Sequence, residues 1–188
     1  MSAEVRDRRR ALRPGQVVVV MLGAAALGLA TMLYAGFGAG IRVNTTPSEP
    51  LGIWRIEPLT RVVAIGDLVF ACMPEGTAHA EGKERGYLRW GLCPGETGPL
   101  IKRVVAVGGQ TVEVDGSVSI NGVPLANSQV SERDGQGRPL QRYRGGVVPF
   151  GDVVLHSPYP GSWDSRYFGP IPQTGILGLA REVLTHDP

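Results

Sequence analysis

Ser48 and Lys102 are the residues whose types and surroundings suit bond-breaking chemistry. Ser48 lies in Asn44-Thr45-Thr46-Pro47-Ser48-Glu49-Pro50-Leu51-Gly52-Ile53-Trp54, and Lys102 sits at the centre of the strand-like run Leu100-Ile101-Lys102-Arg103-Val104-Val105. A serine hydroxyl is a weak nucleophile near neutral pH and needs a base. Lysine serves only as the neutral amine, and its ordinary pKa of about 10.4 keeps it charged. Burial among Ile101, Val104 and Val105 would lower that value by disfavouring the ammonium form. The only other lysine, Lys83, stands among Glu81, Glu84 and Arg85, where a solvated charge is expected. Taken singly, Ser48 is a loop serine and Lys102 a strand lysine that reaches for water; together they make a hydrolase without a histidine. A Ser-His-Asp arrangement using His156 is the alternative, but no G-x-S-x-G elbow surrounds Ser48. His79 lies in a polar stretch and His186 near the end of the chain. No histidine stands at ligand spacing from Cys72 or Cys93, so zinc is not expected, and the chemistry requires no metal or cofactor.

These residues follow a membrane-length segment. From Gly15 to Ile41 no charge occurs, a run of 27 residues where roughly 20 span a bilayer. A cleaved secretory signal is the alternative, but its apolar core is shorter, roughly 7–15 residues, and no clear A-x-A site precedes Arg42. Arg6, Arg8, Arg9, Arg10 and Arg13 come just before the run. They predict a cytoplasmic N-terminus over 1–14, an inner-membrane anchor over 15–41, and a periplasmic domain over 42–188. A formal net charge of +2 is too small to argue for nucleic acid, and no aromatics interleave the arginines as an RNA-binding arm would require. Cys72 and Cys93 both fall in the external part, where they form a disulfide or remain as two buried thiols.

Beyond the anchor, glycine and proline punctuate short apolar runs. Strands are expected over Leu51–Ile56, Gly66–Ala71, Leu100–Val107, Thr111–Val114 and Ser117–Ile120, with a final one at Asp152–Leu155. Asp115-Gly116 and Asn121-Gly122 read as two-residue hairpin turns. The polar stretch 72–98 reads as an insertion-like hairpin or loop, and 126–145 as a surface loop. No helical periodicity of convincing length occurs outside the anchor. The fold class expected is mainly β: a closed or partly closed antiparallel domain behind one N-terminal transmembrane helix.

Four segments together resemble the signal peptidase I family of Ser/Lys dyad serine peptidases. Thr46-Pro47-Ser48-Glu49-Pro50-Leu51-Gly52 resembles its nucleophile box and Gly66-Asp67-Leu68-Val69 its second box. Ile101-Lys102-Arg103-Val104-Val105-Ala106, followed by the Asn121-Gly122 turn, resembles the lysine box. Ser162-Trp163-Asp164-Ser165-Arg166-Tyr167-Phe168-Gly169 resembles the closing box. The small size, the single anchor, Pro50-Leu51-Gly52-Ile53-Trp54 and the cysteine-bracketed insertion are most similar to the TraF-type conjugative-transfer signal peptidases. The resemblance implies a signal-peptidase-like fold with Ser48 as nucleophile and Lys102 as general base. It implies an oxyanion site made by the Ser48 N–H and the Thr46 hydroxyl, and a Ser162 hydroxyl that orients the lysine amine. Asp164 would be held by Arg166 and by Arg103, although an ordinary structural ion pair explains Asp164 and Arg166 equally well.

The activity implied is removal of a signal or pro-segment from a membrane-inserted pilin precursor, with ring closure of the pilin by some members. The bilayer and the type IV secretion or conjugation machinery are the partners this implies. Three departures stand out: Gly109-Gln110 for the usual Gly-Asp, His156-Ser157-Pro158 ahead of the closing box, and Glu49 directly after the nucleophile. Glu49 places a charge where general signal peptidases commonly carry methionine, which argues for a restricted substrate. The rivals are a housekeeping signal peptidase, a self-cleaving repressor-type Ser/Lys protease, and a catalytically silent, membrane-tethered assembly module.

Overall fold

A computed structural model describes residues 13–187 of the chain. Arg6, Arg8, Arg9 and Arg10, on which the orientation argument rests, lie outside the described residues. The first helix, α1 (Pro14–Gly38), starts with proline at a position whose N–H would have no helical partner. Its 25 residues extend about 37 Å at 1.5 Å each, long and apolar enough to cross a membrane. The helix stops three residues short of the expected limit at residue 41. Gly40 turns the chain with φ +84°, and Ile41 opens a strand, because its backbone finds a ladder partner in Arg55.

From Gly40 onward the chain forms a single unit. β1 (Ile41–Asn44) and β2 (Leu51–Glu57) pair antiparallel with Asn44 opposite Gly52, so the Ser48 segment closes one end of their ladder. β3 (Leu68–Ala71) follows the Gly66-Asp67 turn. That turn is locked to the lysine strand from both sides: Gly66 N–H donates to the Val104 carbonyl and Val104 N–H to the Asp67 carbonyl.

The stretch 72–98 is neither a hairpin nor a plain loop. It holds a helix, α2 (Thr77–Glu84), and a strand, β4 (Trp90–Cys93), with Cys72 joined to Cys93 in a disulfide. α2 is too short to reveal a period, and Gly82 weakens the local helix signal further. Tertiary packing explains that glycine, since a Cβ there would lie 2.9 Å from Trp163 Nε1.

β5 (Leu100–Val107), β6 (Thr111–Asp115) and β7 (Ser117–Ile120) come next, followed by β8 (Val123–Pro124), β9 (Gly146–Val147) and β10 (Asp152–His156). A single turn, α3 (Ser165–Phe168), leads to β11 (Ile171–Pro172) and β12 (Ile176–His186). Seven strands form one antiparallel sheet in the order β1-β2-β12-β3-β5-β10-β11, and four form a second in the order β8-β7-β6-β9. β1 and β11 remain unpaired edges, so the large sheet is open rather than closed.

β12, not β10, is the final strand, and it lies inside the sheet between β2 and β3. Its register shifts at Ile176/Gly178 and at Glu182/Leu184, which breaks the alternation that marks a strand in sequence. Of the two expected hairpins, Asn121-Gly122 forms as a two-residue turn, both residues with positive φ, between Ile120 and Val123. The other reversal centres on Gly116 alone, with Asp115 opposite Ser117.

β5 and β10 are apolar on both faces because they separate two cores. Val104, Val153 and Leu155 pack with Val69 and Ile171 on one side, and Val105, Ala106 and Val154 with Val112 and Val148 on the other. Lys102 therefore occupies a strand with little access to water.

Candidate active site

The β1–β2 segment is held by its own polar groups and by distant ones. The Asn44 amide nitrogen donates to the carbonyls of Thr46 (2.9 Å), Glu49 (2.9 Å) and Pro50 (3.0 Å). Its carbonyl oxygen accepts from Thr46 N–H (3.1 Å) and the Thr46 hydroxyl (2.8 Å). The fully buried Trp54 indole donates to the Pro50 carbonyl at 3.0 Å. Gly52 has φ +129° and must be glycine, since a Cβ would lie 2.2 Å from the Leu184 carbonyl oxygen. The Ser157 hydroxyl donates to the Ser48 carbonyl, across 109 residues of sequence.

Lys102 reaches this segment from β5, where it pairs with Val69. Its Nζ donates to Ser48 Oγ at 2.9 Å and to the Ile101 carbonyl at 3.0 Å. The residue is only 2% exposed. Burial, with a smaller contribution from the Arg166 charge, lowers its pKa from 10.5 to about 8, against the pull of Asp164 and Glu49. At neutral pH a useful fraction of such amines is uncharged, and the 2.9 Å contact lies within proton-transfer range. Burial also raises the pKa of the half-buried Glu49 carboxyl, against the opposing charges of Lys102 and Arg103.

Behind the pair lies a buried anion. Asp164 caps α3 through Arg166 N–H, and the Arg166 guanidinium grips its two oxygens at 2.8 Å each. Both side chains are almost wholly out of water, so each needs the other's charge. Ser157 N–H also donates to Asp164 (3.1 Å), which makes Ser157 the link between the ion pair and the Ser48 carbonyl. Trp163 and Tyr167 stack at 5.4 Å with Tyr87 against Trp163, pinning the closing box to the insertion.

Several expected contacts differ. Arg103 does not hold Asp164: side chains alternate along β5, and Arg103 is exposed and donates to the Gly66 carbonyl at 2.7 Å. Arg103 lines an open cleft of about 420 Å³ together with Arg61, Asp67, Arg181 and Glu182, and no residue of that cleft belongs to the Ser48–Lys102 pair. Ser162 is 3% exposed and its hydroxyl bonds to no protein group, so the Lys102 amine is oriented by Ser48 and the Ile101 carbonyl instead. The Thr46 hydroxyl is turned to Asn44, so it must rotate before it can meet an oxyanion. His156 is buried, and its Nε2 has no protein partner. Ser48 Oγ faces Lys102 rather than a histidine. Among the described residues, no three His, Cys, Asp or Glu side chains gather as a metal site.

Asn44 and Ser157 were not singled out by their residue types. Asn44 carries a sequon pattern, Asn44-Thr45-Thr46, which points to glycosylation rather than to this role, and Ser157 lies inside the stretch that departs from the family pattern.

The signal peptidase, peptidase S26 family model matches residues 14–185. A probable conjugal transfer protein TraF of Sinorhizobium fredii is 55% identical over 98% of this chain and 97% of its own length. The conjugal transfer protein TraF of Agrobacterium fabrum is 52% identical over 92% of this chain and 98% of its own. A signal peptidase I structure from Enterococcus faecalis aligns over 63% of this chain and 97% of its own, with 21% identity and a TM-score of 0.39. With a match spanning nearly all the described residues, the chain belongs to the peptidase S26 signal peptidase family.

Proposed function

We propose that the chain is a membrane-anchored serine endopeptidase using a Ser48/Lys102 dyad, and that it matures a membrane-inserted pilin precursor for a conjugation apparatus. The observation that carries the chemistry is the 2.9 Å contact between Lys102 Nζ, on a buried strand, and Ser48 Oγ. Relatives named for conjugal transfer support the setting. α1 (Pro14–Gly38) serves as the anchor, the residues before it face the cytoplasm, and the unit from Gly40 onward works in the periplasm.

Neutral Lys102 takes the Ser48 proton as Oγ bonds to the scissile carbonyl carbon. The Ser48 N–H and the rotated Thr46 hydroxyl meet the developing oxyanion. The intermediate collapses with loss of the amine, which leaves with the proton from Lys102. Water, deprotonated by the same amine, then hydrolyses the ester. If the pilin's own N-terminal amine attacks instead, a new amide closes the chain into a ring.

The test is co-expression of a candidate pilin precursor with the wild type, Ser48→Ala and Lys102→Ala, followed by product masses. Processing by the wild type alone supports the dyad, and a product one water lighter than the linear one adds cyclisation. Processing that persists in both variants, with host peptidases excluded, overturns the dyad.

A further inference from the structure

Asn44 is where the Ser48 segment meets itself. One side-chain amide makes five polar contacts inside a seven-residue span: its oxygen accepts from Thr46 twice, and its two N–H groups are shared among the carbonyls of Thr46, Glu49 and Pro50. Its orientation is not arbitrary. Turning the amide over would set NH₂ against the Thr46 N–H and oxygen against three carbonyls, so only one assignment satisfies the groups present. The bonds bracket Ser48 on both sides in sequence. Pro47 and Pro50 restrict the same segment without supplying any N–H to bind it.

Among the described residues, Ser48 itself receives the Ser157 hydroxyl, on its carbonyl, and the Lys102 amine, on its Oγ. Neither contact sets the path of the chain through Glu49 and Pro50. Asn44 does that, from the last residue of β1, whose partner Gly52 is fixed in the ladder, with the Trp54 indole as a second donor at the Pro50 carbonyl. The hub thus transmits the rigidity of the sheet to the nucleophile. Asn44 also decides where the Thr46 hydroxyl proton points before substrate arrives, because an amide oxygen can only accept.

Building on the Ser48/Lys102 reading, we infer that Asn44 is the positioning residue of the nucleophile segment. It acts through backbone geometry at Ser48, not through Lys102. Misplacement of a reacting group by about 1 Å can cost a hundredfold in rate, so removal of the hub is expected to cost about tenfold to a hundredfold.

The test uses the full-length protein in detergent and p-nitrophenyl acetate as the acylating probe. Ser48 acylation is followed by intact mass, with Ser48→Ala as the blank, alongside thermal unfolding. Asn44→Ala and the milder Asn44→Ser, whose hydroxyl cannot span to Glu49 and Pro50, should both lose about tenfold or more in acylation rate while still folded. The pH midpoint of the remaining rate should stay at the wild-type value, since Lys102 keeps its burial. Asn44→Asp should not rescue, because its second oxygen would face three carbonyls.

Folded Asn44 variants within twofold of wild type would overturn the inference. So would rescue by Asn44→Asp, a displaced pH midpoint, or a loss that merely tracks the unfolded fraction. Absence of Ser48 acylation in the wild type itself would instead bring down the dyad, and this inference with it.

Discussion

Replacing Lys102 by methionine should abolish peptidase activity and, at pH 7, stabilise the fold. The native state holds the Lys102 amine at a pKa of about 8 against 10.5 for the unperturbed group. At roughly 1.4 kcal/mol per pH unit, the folded protein pays about 3 kcal/mol at any pH below 8 to keep that amine protonated. Methionine has similar volume and no charge to desolvate. It loses the hydrogen bonds to Ser48 Oγ and the Ile101 carbonyl, about 1 kcal/mol each net. A net gain of about 1 kcal/mol, a few degrees in Tm, is therefore expected at pH 7.

The dependence on pH is the stronger test, because it does not rely on how well methionine packs. Lys102 binds its proton less tightly folded than unfolded, so between about pH 8 and pH 10.5 the unfolded state carries more protons. Raising the pH through that window stabilises the wild type relative to Lys102→Met, and the advantage of the variant should shrink by about 3 kcal/mol and change sign. Trp54, Trp90 and Trp163 all lie beyond α1, so tryptophan fluorescence of the full-length protein reports this unit alone. Urea or thermal unfolding of both proteins at pH 7, 8.5 and 10 gives the comparison. A stability difference constant across that range would refute the claim that Lys102 is held as a desolvated base.

The wild-type cleavage rate should rise about tenfold per pH unit up to about pH 8 and then level, following the neutral fraction of Lys102. Glu49→Gln removes a charge that favours the Lys102 ammonium, so the acid limb of that rate profile should move to lower pH; an unmoved or upward-moved limb would contradict this electrostatic assignment. Ser157→Ala removes the donor to the Ser48 carbonyl and should lower kcat about tenfold at nearly constant KM, measured by steady-state cleavage of a precursor peptide. Replacing both Cys72 and Cys93 by serine opens a loop with a sequence separation of 21 and should cost about 3 kcal/mol, read as a lower urea midpoint with a somewhat steeper slope, since the unfolded chain becomes less compact.

Much of the sheet was legible because its strands obey local rules. Leu100–Val107 is an apolar run interrupted only by Lys102 and Arg103, and it forms a strand buried along most of its length, Arg103 excepted. Thr111–Asp115 alternates, and it forms a strand with one face exposed. β12 was illegible for the same reason in reverse: two register shifts scramble its pattern, and its place between β2 and β3 depends on partners more than a hundred residues away. α2 was missed because eight residues with an internal glycine carry little helical signal without Leu88 and Trp163 packed against them.

By itself the sequence determined which chemical groups exist and in what order: one serine among prolines, one lysine in an apolar strand, and a closing Asp164-Ser165-Arg166. It also determined a helix long and apolar enough to cross a membrane, since length and hydropathy are properties of a contiguous segment. Only the tertiary structure decided that Arg103 lies away from Asp164 and that the Ser162 hydroxyl has no hydrogen-bond partner among the described residues. It also decided that Asn44 and Ser157 hold the Ser48 segment. Local propensity acts over a few residues, whereas the Lys102–Ser48 contact closes over 54 residues and the Ser157–Ser48 contact over 109. Such contacts depend on sheet register and on which face of a pleat each side chain occupies, and adjacent residues such as Lys102 and Arg103 therefore meet opposite environments.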